Sequence, residues 1–218
     1  MKTDAARWGA CRTLRAVALA TAVGSLPSAR LVARVVGGVA IDSVGDGKPG
    51  AANVRRTLGL GPGLTVAGID IAKGYLPAAL ARRHGAGPHA VGALALAPVA
   101  GHVLFTGGRG AAPSLGAAFA VDALAMTVAG AVIVAGTIGK RHAPAVVVGG
   151  ASLVTAALLL HRRPFAALYS GALVAVLILV RLRGPGWSAA PLTRASLWQR
   201  LWYDREPEAA PQEGGPCA

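Results

Sequence analysis

Long apolar runs, most of them closed by a short group of basic residues, dominate the pattern of hydrophobic and polar positions along the chain. These runs cover residues 14–36, 64–81, 89–105, 114–138, 143–160 and 165–180. A transmembrane helix needs about 20 predominantly apolar residues, and several runs lie near the lower limit. The pattern predicts an all-α fold, a multi-pass integral membrane helical bundle of about six to seven transmembrane helices.

Two of the runs are not simple spans. Pro27 lies inside the first run, where it interrupts the helix and frees backbone groups. The segment 114–138, which holds Asp122, forms either one long tilted helix or a short helix followed by a span. Splitting it places the basic loop 37–63, the turn 105–113 and the tail on one side of the membrane, as the positive-inside rule requires. That side is predicted to be cytoplasmic, with the N-terminus outside.

Composition supports a membrane protein. The chain has 218 residues, of which 54% are hydrophobic and 14% charged. Soluble domains have about 45–50% apolar and about 25% charged residues, so a typical soluble enzyme is not predicted. The net charge of +13 comes from groups set between apolar runs, which favours a membrane surface and not nucleic acid. Cys11 and Cys217 form no disulfide or metal framework.

The polar segments define the predicted organisation. Residues 1–13 form a basic N-terminal segment, 14–183 the transmembrane domain and 184–218 a cytoplasmic tail. The tail carries tryptophans beside arginines, which is typical of an interfacial anchor. Its end, from Glu206, is rich in Pro, Glu and Gly and is predicted to be disordered.

Ser25 lies in the sequence Gly24-Ser25-Leu26-Pro27 of the first run. At the break caused by Pro27, its hydroxyl and a loosened amide could meet a ligand. The alternative is a proline kink in which the Ser25 hydroxyl bonds back to the helix backbone.

A glycine-rich loop with Gly45, Gly47 and Lys48 precedes Asn53. Converging backbone amides and positive charge suit an anion such as phosphate. The alternative is a flexible surface loop in which Asn53 caps the next helix.

His102 is followed by a second glycine-rich turn, with Gly107, Gly108, Arg109 and Gly110, that runs into a new helix. Such a helix N-terminus binds phosphate through its amides and dipole, and Arg109 adds a bidentate donor. The alternative is a tight interhelical turn with an arginine that reaches the interface.

Asp70 and Lys73 are three residues apart and share a helix face, where they can pair. Ionisable groups within a span usually face a cavity or a partner, although a purely structural ion pair is also possible. We expect one polar cavity to be surrounded by residues that are distant in sequence, namely Ser25, Asn53, Lys73, His102 and Arg109.

Taken together, these patterns resemble the bacterial acyl-phosphate:glycerol-3-phosphate acyltransferases, the PlsY family. The order and approximate spacing agree from about residue 20 to residue 120. The matching segments are Gly24-Ser25-Leu26-Pro27, the stretch 45–56, Asp70-Ile71-Ala72-Lys73-Gly74-Tyr75-Leu76-Pro77, Gly101-His102 and the stretch 106–113.

The resemblance implies a multi-pass enzyme of the bacterial plasma (inner) membrane that moves an acyl chain from acyl phosphate to the 1-hydroxyl of glycerol 3-phosphate. The product would be lysophosphatidic acid, with no metal or other cofactor, and the acyl chain would leave sideways between helices into lipid. The implied catalytic residues are Ser25, His102 and Arg109. The implied phosphate-binding residues are Gly45, Gly47, Lys48, Asn53, Lys73, Gly107, Gly108 and Gly110. The sequence leaves the oligomeric state open.

The chain departs from the family pattern at several positions. Asp42 stands where the family has an arginine, which would repel a phosphate nearby, and Asp46 and Lys48 replace a serine and an asparagine. The stretch 181–185 lacks the histidine and asparagine of the family. A catalytically silent relative that binds lipid or a partner is therefore one alternative. A small transporter with Asp70, Lys73 and Asp122 along its pathway is another, although it predicts a repeat between halves that the sequence does not show.

Overall fold

The regular structure of the described residues is helical, which confirms the predicted fold class. The computed structural model describes residues 8–138, 142–183, 193–194 and 197–198. The helices are α1 (Ala10–Gly24), α2 (Ser28–Gly37), α3 (Ala51–Leu58), α4 (Leu60–Arg83), α5 (Pro88–Thr106), α6 (Ala111–Val121), α7 (Ala123–Ile138), α8 (His142–His161) and α9 (Pro164–Arg183). Most of the predicted tail, with Trp187, Trp202 and the end from Glu206, lies outside the described residues.

The predicted interruption at Pro27 is present, and the segment 114–138 takes the two-helix alternative. The first apolar run is broken at residues 25–27, between the end of α1 at Gly24 and the start of α2 at Ser28. The segment 114–138 is broken at Asp122, whose backbone is extended with φ −150° and ψ 100°. Among the described residues, Ala10–Gly37, Leu60–Arg83 and Pro88–Thr106 are long and apolar enough to cross a membrane.

The segment 37–63 contains more structure than a loop. A single 3-10 turn, Ile41–Ser43, precedes α3 within it. Ile41 and Val54 are fully buried against Val66 of α4, together with Ala33 of α2. This small apolar cluster, set apart from the main core, explains why a glycine-rich stretch forms an ordered element.

Helices α4 and α6 cross closely because glycine is present on both sides of the crossing. A Cβ on Gly74 would overlap the carbonyl oxygen of Pro113, and a Cβ on Gly116 would overlap that of Ile71. Small residues allow this approach in membrane helix pairs. Arg82, at the end of α4, donates from Nη1 to the carbonyl of Ala120 at 2.6 Å, so both helices run in the same direction.

The two ends of the bundle differ. At one end, α3 and the start of α4 lie near the turn 107–110, where α5 ends and α6 begins. At the other end, His161 of α8 lies 3.2 Å from the Asp122 carboxylate. There too, the Tyr169 hydroxyl of α9 lies 3.3 Å from Nδ1 of His89. Both glycine-rich segments of the sequence therefore meet at the first end.

Gly116→Ala should destabilise the protein by about 1–3 kcal/mol, because its methyl group would overlap backbone atoms of α4 that cannot move aside. Gly68→Ala on α4 is the matched control, since a Cβ there meets open space and alanine favours a helix by about 1 kcal/mol. Thermal unfolding in detergent measures both variants. Equal melting temperatures for the two variants would contradict the close crossing.

Candidate active site

A cavity of about 550 Å³ lies at the end of the bundle where the two glycine-rich segments meet. One part of its wall is polar and is formed by Asp46, Lys48, Asn53, Arg55, Arg56, Asp70, His102 and Arg109. The other part is apolar and is formed by Leu60, Leu64, Ala67, Ile71, Leu115, Val174, Leu177 and Ile178. The cavity thus combines a charged wall with an apolar one.

Two helix N-termini open onto this cavity. Helix α3 begins with Ala51 and Ala52, and α6 begins with Ala111 and Ala112; all four residues line the wall. The first amides of a helix have no partner within it, and the helix dipole adds positive potential there. Together with the four basic side chains of the wall, these termini give this part of the cavity the chemistry that suits an anion such as phosphate.

A buried polar cluster lies behind the cavity wall, at the break between α1 and α2. The Lys73 ammonium donates to Asp70 Oδ1 at 3.0 Å, to Ser28 Oγ at 3.1 Å and to the carbonyl of Leu26 at 2.7 Å. Ser28 donates in turn to Asp70 Oδ1 at 2.6 Å. These contacts use all three protons of the ammonium group. The predicted pairing of Asp70 with Lys73 is confirmed.

Lys73 thus takes a different place from the one expected of a phosphate ligand. It is only 5% exposed and is absent from the residues that line the cavity. The reason lies in the Leu26 carbonyl at the helix break, which accepts from the Ser28 amide at 2.9 Å and takes its second hydrogen bond from the buried Lys73 ammonium. Asp70, on the same helix, lines the cavity instead.

His102 is buried at the edge of the cavity, close to this cluster. Its Nδ1 lies 3.9 Å from Asp70 Oδ1 and has no hydrogen-bond partner among the described residues. Gly108 packs against the opposite ring nitrogen, where a Cβ would overlap Nε2. Thr106 stabilises the glycine-rich turn after α5. Its hydroxyl donates to the His102 carbonyl at 2.6 Å and accepts from the Gly108 amide at 3.1 Å.

Hydrogen bonds of the Asn53 side chain stabilise the first glycine-rich segment. Its side-chain amide donates to the carbonyls of Ile41 at 3.1 Å and Val44 at 2.9 Å, and its oxygen accepts from the Asp46 amide at 3.2 Å. Asn53 lies inside α3, so the helix-cap alternative is wrong, and its polar atoms are already engaged within the protein. Gly45 has a φ of 64° and leaves the space that the Asn53 oxygen occupies.

The remaining predicted site residues also form two groups, one that lines the cavity and one that does not. Lys48, Gly108, Arg109 and Gly110 line the cavity, whereas Gly45, Gly47 and Gly107 do not. Ser25 also lies outside the lining residues, and its hydroxyl donates to the Ala22 carbonyl at 2.7 Å, as the kink alternative expects. Of the five residues expected around one cavity, Asn53, His102 and Arg109 line it.

Several cavity residues were missed by the sequence patterns. Asp46, Arg55 and Arg56 line the wall, and Arg56 pairs with Asp46. The signal for Arg55 and Arg56 was their place on the short helix that follows the glycine-rich loop. Ser28, which contacts Asp70, carried no signal beyond its position directly after Pro27.

Because Asp42 replaces an arginine of the family, we expected it beside the phosphate site, but it lies elsewhere. It accepts from Arg30 Nε at 2.7 Å and from Arg30 Nη2 at 3.2 Å, at a partly exposed position outside the cavity lining. Arg30 therefore offsets the repulsion that Asp42 was expected to exert on a phosphate.

Comparisons with known proteins agree with this architecture. A family model described as glycerol-3-phosphate acyltransferase matches residues 14–185. A glycerol-3-phosphate acyltransferase of Thermus thermophilus is 33% identical over 201 residues, covering 90% of this chain and 89% of that protein. Another, from Rubrobacter xylanophilus, is 43% identical over 111 residues, covering 48% of this chain and 55% of that protein.

Solved structures show the same fold. The crystal structure of PlsY, an integral membrane glycerol 3-phosphate acyltransferase, in its glycerol 3-phosphate form, has a TM-score of 0.70 and 27% identity. The comparison covers 77% of this chain and 86% of that one. The lysophosphatidic acid form gives a TM-score of 0.69 and 26% identity.

The fold and the cavity define an integral membrane helical protein whose cavity joins a basic wall to an apolar one. The match over residues 14–185 identifies its family: the chain belongs to the glycerol-3-phosphate acyltransferases.

Gly108→Ala should slow acyl transfer at least tenfold, because its methyl group would displace the His102 ring, and a shift of about 1 Å can cost about 100-fold. Gly87→Ala is the control, since a Cβ there meets open space and its φ of −69° suits alanine. The initial rate with glycerol 3-phosphate measures the effect. A Gly108→Ala enzyme as fast as the control would show that the contact with His102 is unimportant.

Proposed function

We propose that this enzyme transfers an acyl chain from acyl phosphate to the 1-hydroxyl of glycerol 3-phosphate in the bacterial plasma membrane, giving lysophosphatidic acid. One observation carries the proposal: two helix N-termini and four basic side chains share one cavity with a continuous apolar wall. Both substrates bear a phosphate group, and the donor also bears a long apolar chain. The described cavity matches this pair of ligands.

The two phosphates would use the two helix N-termini. The start of α6 with Arg109 would hold one phosphate, and the start of α3 with Lys48 would hold the other. Holding both anions in one cavity replaces a bimolecular encounter by a positioned one. It also overcomes their mutual repulsion, since each phosphate meets its own amides and its own cation.

The chemical step is then a displacement at the acyl carbonyl. The 1-hydroxyl oxygen forms a bond to the carbonyl carbon, and the bond from that carbon to the phosphate oxygen breaks. Inorganic phosphate leaves with the bonding electron pair, held by the cations. His102 is proposed to accept the hydroxyl proton, with the Asp70 carboxylate 3.9 Å from its Nδ1 to stabilise the imidazolium.

Other proposed functions fit the contacts less well. A silent relative was suggested by the acidic residue at position 42 and by the histidine and asparagine missing from 181–185. Arg30 neutralises the charge of Asp42 outside the cavity, and residues 184 and 185 lie outside the described residues. A transport pathway was suggested by Asp70, Lys73 and Asp122. Asp70 and Lys73 bind each other at the cavity, whereas Asp122 lies beside His161 at the opposite end of the bundle.

Arg109→Ala should reduce kcat/KM by about 100- to 1000-fold, the effect typical of removing one donor to a developing charge. Arg109→Lys should keep a measurable part of the activity, because lysine supplies the charge without the planar fork. Release of inorganic phosphate from acyl phosphate, followed with glycerol 3-phosphate present, measures both variants.

Arg83→Ala is the matched control, since Arg83 is exposed at the other end of α4. Wild-type rates in folded, membrane-inserted Arg109→Ala would remove Arg109 from the mechanism.

The cavity end of the bundle should face the cytoplasm. In a variant whose native cysteines are replaced by serine, a cysteine at Gly47 should react with a membrane-impermeant thiol reagent only after the inner face is exposed. A cysteine at Gly85, in the turn between α4 and α5, should react from outside. The reverse accessibility would place the active site on the outer face.

A further inference from the structure

Among the described residues, two carboxylates line the active-site cavity, and their ion pairs differ in exposure. Asp70 is buried, with a side chain 3% exposed, and pairs with the buried Lys73. The Asp46 side chain is 24% exposed and pairs with Arg56, whose side chain is 47% exposed. Both members of this second pair line the cavity, so a ligand in the cavity can reach them.

The local structure explains why the exposed pair forms beside the start of α3. Asp46 Oδ1 accepts from the Lys48 amide at 3.3 Å, and the Asp46 amide donates to Asn53 Oδ1 at 3.2 Å. Side chains of a helix lean toward its N-terminus, so Arg56 reaches back from the second turn of α3 to this segment. There Nη2 of Arg56 donates to Asp46 Oδ2. The carboxylate thus occupies a cation of the same wall that contains the first residues of α3.

The two pairs also differ in how easily an anion can separate them. An exposed ion pair contributes a factor of about five at most to an equilibrium constant. A phosphate monoester carries up to two negative charges and offers two oxygens to the guanidinium fork of Arg56. Such a ligand can displace the Asp46 carboxylate, whereas separating the buried pair of Asp70 and Lys73 would leave two buried charges without partners.

We propose that Asp46 is a built-in counter-anion, which holds Arg56 until a substrate phosphate takes its place and thereby sets how tightly phosphate binds at the start of α3. The inference rests on the proposed function, from which it takes the phosphate at this helix. A consequence is that phosphate leaves the cavity more easily after the reaction, since the carboxylate can return to Arg56 as the phosphate departs.

The test compares Asp46→Asn with Asp42→Asn. Both substitutions remove one carboxylate charge from an exposed pair with an arginine, but the pair of Asp42 with Arg30 lies outside the cavity lining. Asparagine at position 46 keeps an oxygen that can accept from the Lys48 amide, so the segment before α3 retains that contact. Dissociation constants for inorganic phosphate and for glycerol 3-phosphate are measured by titrating the purified protein in detergent.

Asp46→Asn should tighten the binding of at least one of these two ligands by about two- to fivefold at low salt, as expected for the loss of one exposed pair. The gain should shrink as salt is added, because salt screens exposed charges. Asp42→Asn should bind both ligands as the wild type does. If neither constant changes in Asp46→Asn, or if Asp42→Asn gains as much, the proposal is wrong.

A double-mutant cycle with Arg56→Gln separates displacement from simple repulsion. Arg56→Gln alone should weaken phosphate binding, because the ligand loses one cation. Adding Asp46→Asn to it should give a smaller gain than in the wild-type background, since no arginine is left for the carboxylate to hold. Equal gains in both backgrounds would mean that Asp46 only repels the phosphate, and would overturn the proposal.

The binding constants also separate this proposal from the proposed function. If the wild type is inactive with every acyl phosphate but Asp46→Asn still binds phosphate more tightly, the proposed reaction is wrong and the role of Asp46 stands. If wild-type activity is normal and the binding constants of Asp46→Asn equal those of the wild type, the role of Asp46 is wrong and the proposed reaction stands.

Discussion

The active-site cavity depends on a buried ammonium group at a broken helix. An ionisable side chain within a membrane span is costly unless its partners are close by. Lys73 meets this requirement, since Asp70, Ser28 and the Leu26 carbonyl take all three of its protons. The break that frees the Leu26 carbonyl also sets the direction of α2, and α2 leads to α3. Removing one partner of such a buried pair typically costs about 3–5 kcal/mol, so the break and the pair stabilise each other.

The electrostatics of the cavity follow from where the carboxylates are neutralised. Asp70 pairs with Lys73 behind the wall, Asp46 pairs with Arg56 in the wall, and Asp42 pairs with Arg30 outside it. Each acidic residue near the site therefore has its own cation. The two helix N-termini add positive potential without any side chain. With its carboxylates neutralised and its helix N-termini positive, the cavity has a potential that favours anions. This holds even though acidic residues replace other residues of the family at some positions.

Much of the fold could be predicted from the sequence, because hydropathy and helix-breaking residues act locally. The break at Pro27 and the pairing of Asp70 with Lys73 followed from short-range patterns. The split of the segment 114–138 and the position of both glycine-rich segments on one side followed from the distribution of basic residues. Such patterns could not show which polar residues line the cavity and which bind the protein's own backbone. Asn53 and Lys73 carry polar groups that suit phosphate, but they bind the protein's own backbone, because the carbonyls that need them become apparent only when α2, α3 and α4 are packed together.

This division explains why a motif can be diagnostic of a family without each of its residues touching a ligand. Gly45 and Asn53 shape the segment that leads into α3, whereas Gly108 and Arg109 border the cavity itself. Both groups are needed, since the amides at the start of α3 reach the cavity only because the preceding segment is held in this conformation. The apolar wall imposes a further constraint: α9, distant in sequence from every motif, contributes Val174, Leu177 and Ile178. The polar wall of the cavity is thus encoded in short motifs, while its apolar wall depends on how the last helix packs against α4 and α6.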